Sequence, residues 1–198
     1  MDAKTLRELY GPPSERASQK ILPSLDKHSK KFIENSSLLI LGTSNKASLD
    51  LSPKGDPNGF VKIIDKNTIE LPDRPGNNRI DGLLNILINP KVALLFFILN
   101  VNETLRVQGI AEILTDLKTL SRHKIRNRVP KTVTRIKVQT VGLHCGKALI
   151  RSSLWQPENW PKERPLESLY NILEDQTGLK SLASDEEKVN KIYKKTLY

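Results

Sequence analysis

Apolar and polar positions divide the chain into three parts that differ in periodicity. Residues 36–143 hold short apolar or alternating stretches of strand length, separated by turn residues such as KGDPNG at 54–59. Residues 1–35 are polar, and residues 144–198 carry apolar positions at helical spacing. The pattern predicts a single domain, with a helical N-terminal segment over 1–35, a β-rich barrel over 36–143 and a helical C-terminal part over 144–198.

The middle part alternates strand-length segments with one predicted helix. That helix covers residues 79–89, and Pro90 ends it. Gly109 lies within a strand-length segment, where glycine indicates a bulge. The candidate strands cover residues 37–43, 47–53, 60–64, 68–71, 91–99, 103–114 and 133–143. Six or so antiparallel strands with one inserted helix are typical of a mainly β protein with flanking helices (α+β), closed or nearly closed into a barrel.

Helix signals occur in both terminal parts. Ser14 is a candidate helix start, and the segment PSLD at 23–26 is a second one, for a helix that ends near Asn35. In the C-terminal part, two sets of apolar residues each share a helical face: Leu166, Leu169, Tyr170 and Leu173, and then Val189, Ile192, Tyr193 and Leu197. We expect these two faces to pack on the barrel or on a partner subunit.

Composition excludes several classes of protein. The 198 residues contain 37% hydrophobic and 27% charged residues, and no apolar run approaches the length that spans a bilayer. The first residues, MDAK, have no apolar segment behind them, so we expect no secretory signal. Cys145 is the single cysteine and cannot form an internal disulfide. These features predict a cytoplasmic protein in a reducing environment, without membrane attachment.

The formal net charge of +10 indicates an anionic partner, either nucleic acid, anionic lipid or a phosphorylated small molecule. The densest basic segments are residues 123–131 and 191–195. Aromatic residues make up only 5% of the chain and none lies within 123–131, so no stacking platform for single-stranded bases is visible. A solvated basic face is therefore favoured over a nucleic-acid site for residues 124–131.

The segment DRPGNNR at 73–79 is a polar loop that leads directly into the predicted helix. Pro75 and Gly76 specify its backbone, and Asn78 is the expected N-cap, with Asp81 as its capping-box partner. Free N–H groups at a helix start, combined with Arg74 and Arg79, suit a phosphate. A capped helix with solvated arginines explains the same residues, and both interpretations stay open at this point.

Two candidate strands carry a polar face. Alternation places Asp50, Ser52 and Lys54 on one face of the second strand, opposite Leu49 and Leu51. In the 103–114 strand, polar side chains recur in the same way at Thr104, Arg106 and Gln108. Faces of this kind are usually exposed to solvent. The alternative is that both faces and the two-arginine loop together hold one anionic ligand.

Groups for metal or acid–base chemistry are sparse. His28, His123 and His144 are far apart in sequence, and His144 with Cys145 lacks further metal ligands. A strand-end histidine beside a small buried thiol is favoured over a proton donor or a reactive thiol. The sequence therefore assigns no metal site and no catalytic residue.

Five short motifs occur in order along the chain: DLSPKGD at 50–56, DRPGNNR at 73–79, NPKV at 89–92, ETLRV at 103–107 and HCGKA at 144–148. In this order they resemble the pyridoxamine 5′-phosphate oxidase-like flavoproteins, whose fold is the FMN-binding split barrel. Within that family, the chain is similar to a subgroup that shares a PDRPGN-R loop and an HC-KA--RS-LW segment. The resemblance covers roughly residues 10–195.

The resemblance implies a homodimer with two FMN sites at the subunit interface. Lys54 and Arg79 match basic ligands of the FMN phosphate, and Arg74 and Asn77 lie beside them. Ser52 matches a strand position near the flavin. By the same analogy, the partner subunit brings three further side chains toward the isoalloxazine or the ribityl chain, and these are Arg106, Cys145 and Trp155. For Trp155, plain packing is an equally good interpretation.

The chain also departs from the pyridoxamine phosphate oxidases themselves. Leu49 occupies a position where those enzymes carry a basic residue, and their C-terminal substrate-phosphate signature is not found. The resemblance therefore implies FMN but not vitamin B6 chemistry. The expected function is an FMN-dependent oxidoreductase acting on an unknown small molecule. The alternatives are a non-enzymatic flavin or haem-type carrier on the same barrel and, less favoured, a nucleic-acid binder.

Overall fold

The computed structural model describes residues 1–180 and 186–198. The strands are β1 Leu38–Ser44, β2 Leu49–Gly55, β3 Lys62–Asp65, β4 Thr68–Pro72, β5 Lys91–Phe97, β6 Thr104–Leu114 and β7 Val133–His144. The α-helices are α1 Ala3–Tyr10, α2 Glu15–Gln19, α3 Lys27–Asn35, α4 Asp81–Ile88, α5 Leu117–Ser121, α6 Lys147–Arg151, α7 Leu169–Thr177 and α8 Glu186–Thr196, with a 3₁₀ turn at Pro157–Asn159.

The strands form one seven-stranded sheet in the order β2-β1-β5-β6-β7-β4-β3. Every pairing in it is antiparallel. The predicted fold class, a mainly antiparallel β protein with flanking helices, is confirmed. The sheet is not closed, because β2 and β3 lie at opposite ends of the strand order. It is therefore a split barrel.

The core lies on the inner face of this sheet, where apolar side chains alternate with exposed ones. In β5, Val92, Leu94 and Phe96 are buried. Helix α3 covers part of this face through Phe32 and Ile33. Its start is fixed by Asp26, whose carboxylate accepts hydrogen bonds from the hydroxyl and the backbone N–H of Ser29.

The predicted bulge at Gly109 is confirmed. The register between β6 and β7 shifts between Gln108 and Gly109. A Cβ at position 109 would lie 2.2 Å from the carbonyl oxygen of Lys137, so only glycine fits this close approach.

Element boundaries differ from the predicted ones by a few residues. β2 runs over 49–55 rather than 47–53, and α4 begins at Asp81 rather than at residue 79. Helix α1 lies within the predicted helical segment 1–35, but its start at Asp2 was not identified. The predicted C-terminal part includes residues 181–185, which lie outside the described residues, and the one-domain organisation stays a prediction. Across the described ranges, no helix has both the length and the apolar character needed to cross a membrane.

Candidate functional site

A cleft of about 600 Å³ lies between β2, the loop that leads into α4, and the segment between α5 and β7. Five of the eight cofactor residues predicted from the sequence line it, and these are Ser52, Lys54, Arg74, Asn77 and Arg79. Five cationic and three carboxylate side chains line the cleft in total. The structure therefore brings the loop and the polar face of β2 together around one concave surface.

The polar face of β2 has the predicted alternation. Asp50, Ser52 and Lys54 are half-buried, whereas Leu49 and Leu51 are 86% and 74% exposed. The start of α4 packs directly on the polar face. A Cβ at Gly82 would lie 3.1 Å from a carboxylate oxygen of Asp50, so glycine permits this close packing.

The start of α4 differs from the predicted capping box. Asn78 is not the N-cap: the cap position is Ile80, whose φ of 53° is left-handed, and no side chain in the described part of the chain caps the helix. Asn77 instead accepts a hydrogen bond from the backbone N–H of Arg79 at 3.1 Å. The carboxylate of Asp81 accepts from the side chain of Arg79 at 2.8 Å, so it is not available for capping. Backbone N–H donors of the first turn of α4 are thus left without a side-chain acceptor.

Two of the predicted phosphate ligands have carboxylate partners. Lys54 Nζ lies 3.4 Å from Asp73, and Arg79 Nε lies 2.8 Å from Asp81. The hydrogen bond with Asp81 raises the pKa of Arg79. Arg79 keeps 74% of its side chain exposed, so its other donors are free to meet a ligand.

Arg74 is held more firmly than Lys54 or Arg79. Its Nε donates to Asp56 at 2.6 Å, and a terminal nitrogen donates to the backbone carbonyl of His123 at 2.8 Å. Only 17% of the side chain is exposed. These contacts tie the 73–79 loop to the start of the segment that follows α5, so Arg74 fixes the shape of the cleft.

The opposite wall of the cleft carries Arg128 and Lys131. Within residues 1–180 and 186–198, neither forms an ion pair with an aspartate or glutamate side chain. Arg128 donates to the backbone carbonyl of Tyr198, which also lines the cleft. The sequence favoured a solvated basic face here, because nothing in the 123–131 pattern shows that it faces the 73–79 loop.

A family model described as pyridoxamine 5′-phosphate oxidase matches residues 25–145. The chain belongs to that family. This confirms the resemblance inferred from the motifs. No curated protein matches the sequence.

Solved structures of similar proteins include three with different descriptions. HupZ from Group A Streptococcus is 25% identical, with a TM-score of 0.47 over 59% of this chain and 91% of that one. A candidate pyridoxamine 5′-phosphate oxidase from Lactobacillus delbrueckii is 16% identical, with a TM-score of 0.48 over 61% and 94%. A protein described as F420 reductase is 15% identical, with a TM-score of 0.44 over 60% and 98%.

Arg106 does not reach the cleft of this pyridoxamine 5′-phosphate oxidase family member. Ser52 of β2 lies in line with Val107 of β6 through the paired residues of β1 and β5. Paired residues point to the same face of a sheet, so Arg106, next to Val107, points to the opposite face. The expectation that the polar faces of β2 and β6 in one chain converge on one ligand is therefore wrong.

Cys145 and Trp155 also lie outside the cleft. The indole N–H of Trp155 donates to the carbonyl of Val101 at 3.0 Å, beside the β5–β6 connection. Cys145 is exposed, which corrects the predicted buried thiol, since β7 ends at His144 and leaves the next residue beyond the ladder. That these residues and Arg106 serve a partner's site stays a prediction.

One functional-looking cluster was missed by the sequence analysis. The carboxylate of Glu70 is fully buried on β4, and it accepts hydrogen bonds from Arg122 at 2.6 Å and Arg135 at 2.7 Å. His123 lies 3.0 Å from it, and the Nδ1 of that histidine is buried without a hydrogen-bond partner among the described residues. The available signal was an acidic residue inside an otherwise apolar strand, TIELP.

Burial raises the pKa of Glu70, but hydrogen bonds from Arg122, Arg135 and His123 outweigh burial and hold the pKa below its ordinary value. Burial lowers the pKa of His123, and its contact with Glu70 opposes that shift only in part. Among the described residues, no group of three or more His, Cys, Asp or Glu side chains is placed to hold a metal ion.

Proposed function

We propose that this chain is a flavoprotein that binds FMN in the cleft and uses it as an oxidoreductase on an unknown small molecule. Membership of the pyridoxamine 5′-phosphate oxidase family supports a flavin. The observation that carries the proposal is the convergence of Lys54 and Arg79 with the uncapped start of α4 in one cleft.

The residues of the cleft fit the chemistry of FMN. A phosphate near the dianionic state needs fixed cations and N–H donors, and both are present at the start of α4. The cleft volume of about 600 Å³ lies within the range of small-molecule sites. Lys54 and Arg79 also contact Asp73 and Asp81. A bound phosphate therefore competes with these two carboxylates for the cations, which reduces its binding energy.

Each residue has a proposed role in this site. Lys54 and Arg79 hold the phosphate, Asn77 and Ser52 donate or accept hydrogen bonds nearby, and Arg74 fixes the loop. Bound FMN would supply the transfer of electrons or hydride, so the chain itself needs to bind, orient and shield it.

We further propose a homodimer, in which the partner supplies Arg106, Cys145 and Trp155 to the site. The exposed side chains of Leu49 and Leu51 on the outer face of β2 support a contact surface there. Sedimentation tests this: a monomer that still binds FMN fully contradicts a shared site. The free, exposed Cys145 supports a reducing, cytoplasmic setting.

The direct test is the absorption spectrum of the purified protein, followed by titration of the apoprotein with FMN. We expect a bound flavin spectrum in the wild type, and weaker binding in Lys54→Ala and Arg79→Ala. Lys46→Ala is the matched control, since this exposed lysine lies in the β1–β2 turn outside the cleft. Full FMN occupancy of both cleft variants at limiting cofactor would show that the phosphate site is wrong.

A second experiment separates an enzyme from a carrier. Reduction of the bound flavin by NADH or NADPH, followed by reoxidation with an added acceptor, indicates an oxidoreductase, whereas stable binding without turnover indicates a carrier. The described lining of the cleft contains no histidine, cysteine or methionine, and the hydroxyl of its tyrosine, Tyr198, is hydrogen-bonded to Asp56, which favours flavin over haem as the ligand. RNA binding that falls steeply with salt would instead support a nucleic-acid function.

A further inference from the structure

Tyr198, which follows helix α8, reaches into the cleft and contacts both of its walls. Its hydroxyl donates to the carboxylate of Asp56, at the end of β2. Its backbone carbonyl accepts from Arg128. Its ring lies 5.9 Å from the guanidinium carbon of Arg74 and 5.0 Å from that of Arg126. One residue thus connects the 73–79 loop, β2 and the turn after α5.

The contact with Tyr198 differs from the contacts of two other cleft cations. Lys54 and Arg79 each face the carboxylate of an aspartate side chain. Arg128 instead donates to the backbone oxygen of Tyr198, which orients the guanidinium. An arginine has five donors, so this one contact leaves the others for a ligand.

The turn that carries Arg128 needs support from outside. Arg126 and Asn127 have φ values of 45° and 63°, which are unfavourable for residues other than glycine, although asparagine tolerates them better than arginine. Two backbone hydrogen bonds between Ile125 and Arg128, of 2.9 and 2.8 Å, close the turn. The pKa of Tyr198 is raised by its hydrogen bond to Asp56, so the hydroxyl keeps its proton and stays a donor.

We propose that Tyr198 is a positioning residue of the cleft: it clamps the 125–128 turn against Asp56 and Arg74 and so holds Arg128 toward an anionic group of the ligand. That the ligand is FMN rests on the proposed function. The clamp itself rests on contacts present in the protein without a ligand.

Hydrogen exchange of the ligand-free protein tests the clamp independently of FMN. We expect the amides of Ile125 and Arg128 to exchange about fivefold faster in Tyr198→Ala, the scale of one lost hydrogen bond or cation–π contact. Tyr198→Phe keeps the ring and loses only the hydroxyl, so its effect should be intermediate. Tyr193→Ala is the control, because this half-exposed residue of α8 lies outside the cleft. Unchanged exchange in Tyr198→Ala overturns the proposal.

A double-mutant cycle on ligand affinity tests the role of Arg128. We expect Tyr198→Ala to weaken FMN binding about fivefold in the wild-type background and to have no further effect in the Arg128→Ala background. A general structural role predicts the same loss in both backgrounds, and that result overturns the proposal. In the Lys131→Ala background, the effect of Tyr198→Ala should persist.

The two proposals fail in different ways. If FMN does not bind the wild-type protein, the proposed function fails, and the same cycle is run with inorganic pyrophosphate as the anionic probe. Coupling between Tyr198 and Arg128 toward pyrophosphate supports the clamp, and absence of coupling overturns it.

Discussion

Two regions of this protein concentrate arginines, and they use them in opposite ways. In the buried cluster, the carboxylate of Glu70 is inaccessible to solvent and takes hydrogen bonds from Arg122, Arg135 and His123. In the cleft, Arg79 is mostly exposed, and Arg128 is held through the backbone oxygen of Tyr198. The cluster uses its donors within the protein, whereas Arg79 of the cleft keeps most of its side chain accessible to a ligand although it also contacts Asp81.

The difference shows that the burial of the ion pairs, rather than the number of arginines, separates a structural site from a binding site. Removing a partner from a compensated buried cluster leaves charges without their counter-ion and costs stability. Removing a carboxylate from the cleft frees a cation for a ligand. Stability and affinity should therefore respond in opposite directions to the loss of a carboxylate in the two regions.

The largest effect is expected for Glu70→Gln. The substitution keeps the shape of the side chain but leaves Arg122 and Arg135 facing a neutral amide, and we expect it to lower the free energy of unfolding by about 3 kcal/mol. Both guanidiniums keep some contact with solvent, which places the loss at the lower end for a buried pair. Urea unfolding followed by circular dichroism measures it.

Glu112→Gln is the matched control for this prediction. Glu112 lies 3.5 Å from Arg135 but is 60% exposed, so its removal should change stability by less than about 0.5 kcal/mol. Equal effects of the two substitutions would contradict the structural role assigned to the Glu70 cluster.

Acid should destabilise the protein through the same cluster. The pKa of His123 is lowered in the folded state, so as pH falls below about 6.5 the unfolded chain takes up a proton before the folded chain does. The pKa of Glu70 is also lowered in the folded state. As pH falls below about 4.5, the unfolded chain therefore takes up a proton at Glu70 before the folded chain does, and a second part of the stability is lost. Urea midpoints at pH 7.5, 6, 5 and 4 should fall in that order.

His123→Asn separates the two contributions to this pH dependence. The variant should lose the part of the decline that begins near pH 6.5 and keep the part that begins near pH 4.5. A midpoint that rises between pH 7.5 and pH 5 in the wild type contradicts the assignment of His123, and a midpoint that does not fall between pH 5 and pH 4 contradicts that of Glu70.

Much of the fold is predictable because it depends on local patterns. The alternation of polar and apolar residues predicted the polar face of β2, and a glycine within a strand predicted the bulge at Gly109. The start of α4 was not predictable in the same way. Its residues suit a capping box, but Asp81 pairs with Arg79, so the helix begins later and without a cap.

The candidate site is predictable only where its residues are near in sequence or share a family motif. The loop and β2 supply Lys54 and Arg79, and both were identified. The second wall was missed, since Arg128 and Tyr198 are 70 residues apart and meet only through the tertiary fold. The position of Arg106 depends on the register of three successive strand pairings, which no local pattern specifies.

The loop wall of the cleft also stores backbone strain. Ile80 adopts a left-handed φ of 53°, which costs a β-branched residue about 1–2 kcal/mol relative to a residue that tolerates it. Ile80 is 50% exposed, so Ile80→Asn loses little packing and should raise the free energy of unfolding by about 1 kcal/mol. Leu84→Asn, at a similarly exposed position within α4, should lower it. A loss of stability in Ile80→Asn as large as in Leu84→Asn contradicts strain at this position.

The smallest expected effect is the one that tests the comparison most directly. Asp81→Asn removes the carboxylate that contacts Arg79, so the guanidinium no longer divides its donors between a side chain and a phosphate. The substitution also removes a negative charge from the first turn of α4, where it opposes an anionic ligand. We expect the dissociation constant for FMN to fall about two- to fivefold, the scale of an exposed ion pair.

Fluorescence titration at low and at high salt measures this change in affinity, and the gain should shrink at high salt because screening weakens the exposed charges. Glu112→Gln, which removes an exposed carboxylate outside the cleft, should leave the dissociation constant unchanged. If Asp81→Asn weakens FMN binding instead, the Arg79–Asp81 pair acts as a unit that shapes the site, and the distinction between the compensated cluster and the available cations of the cleft does not hold at this wall.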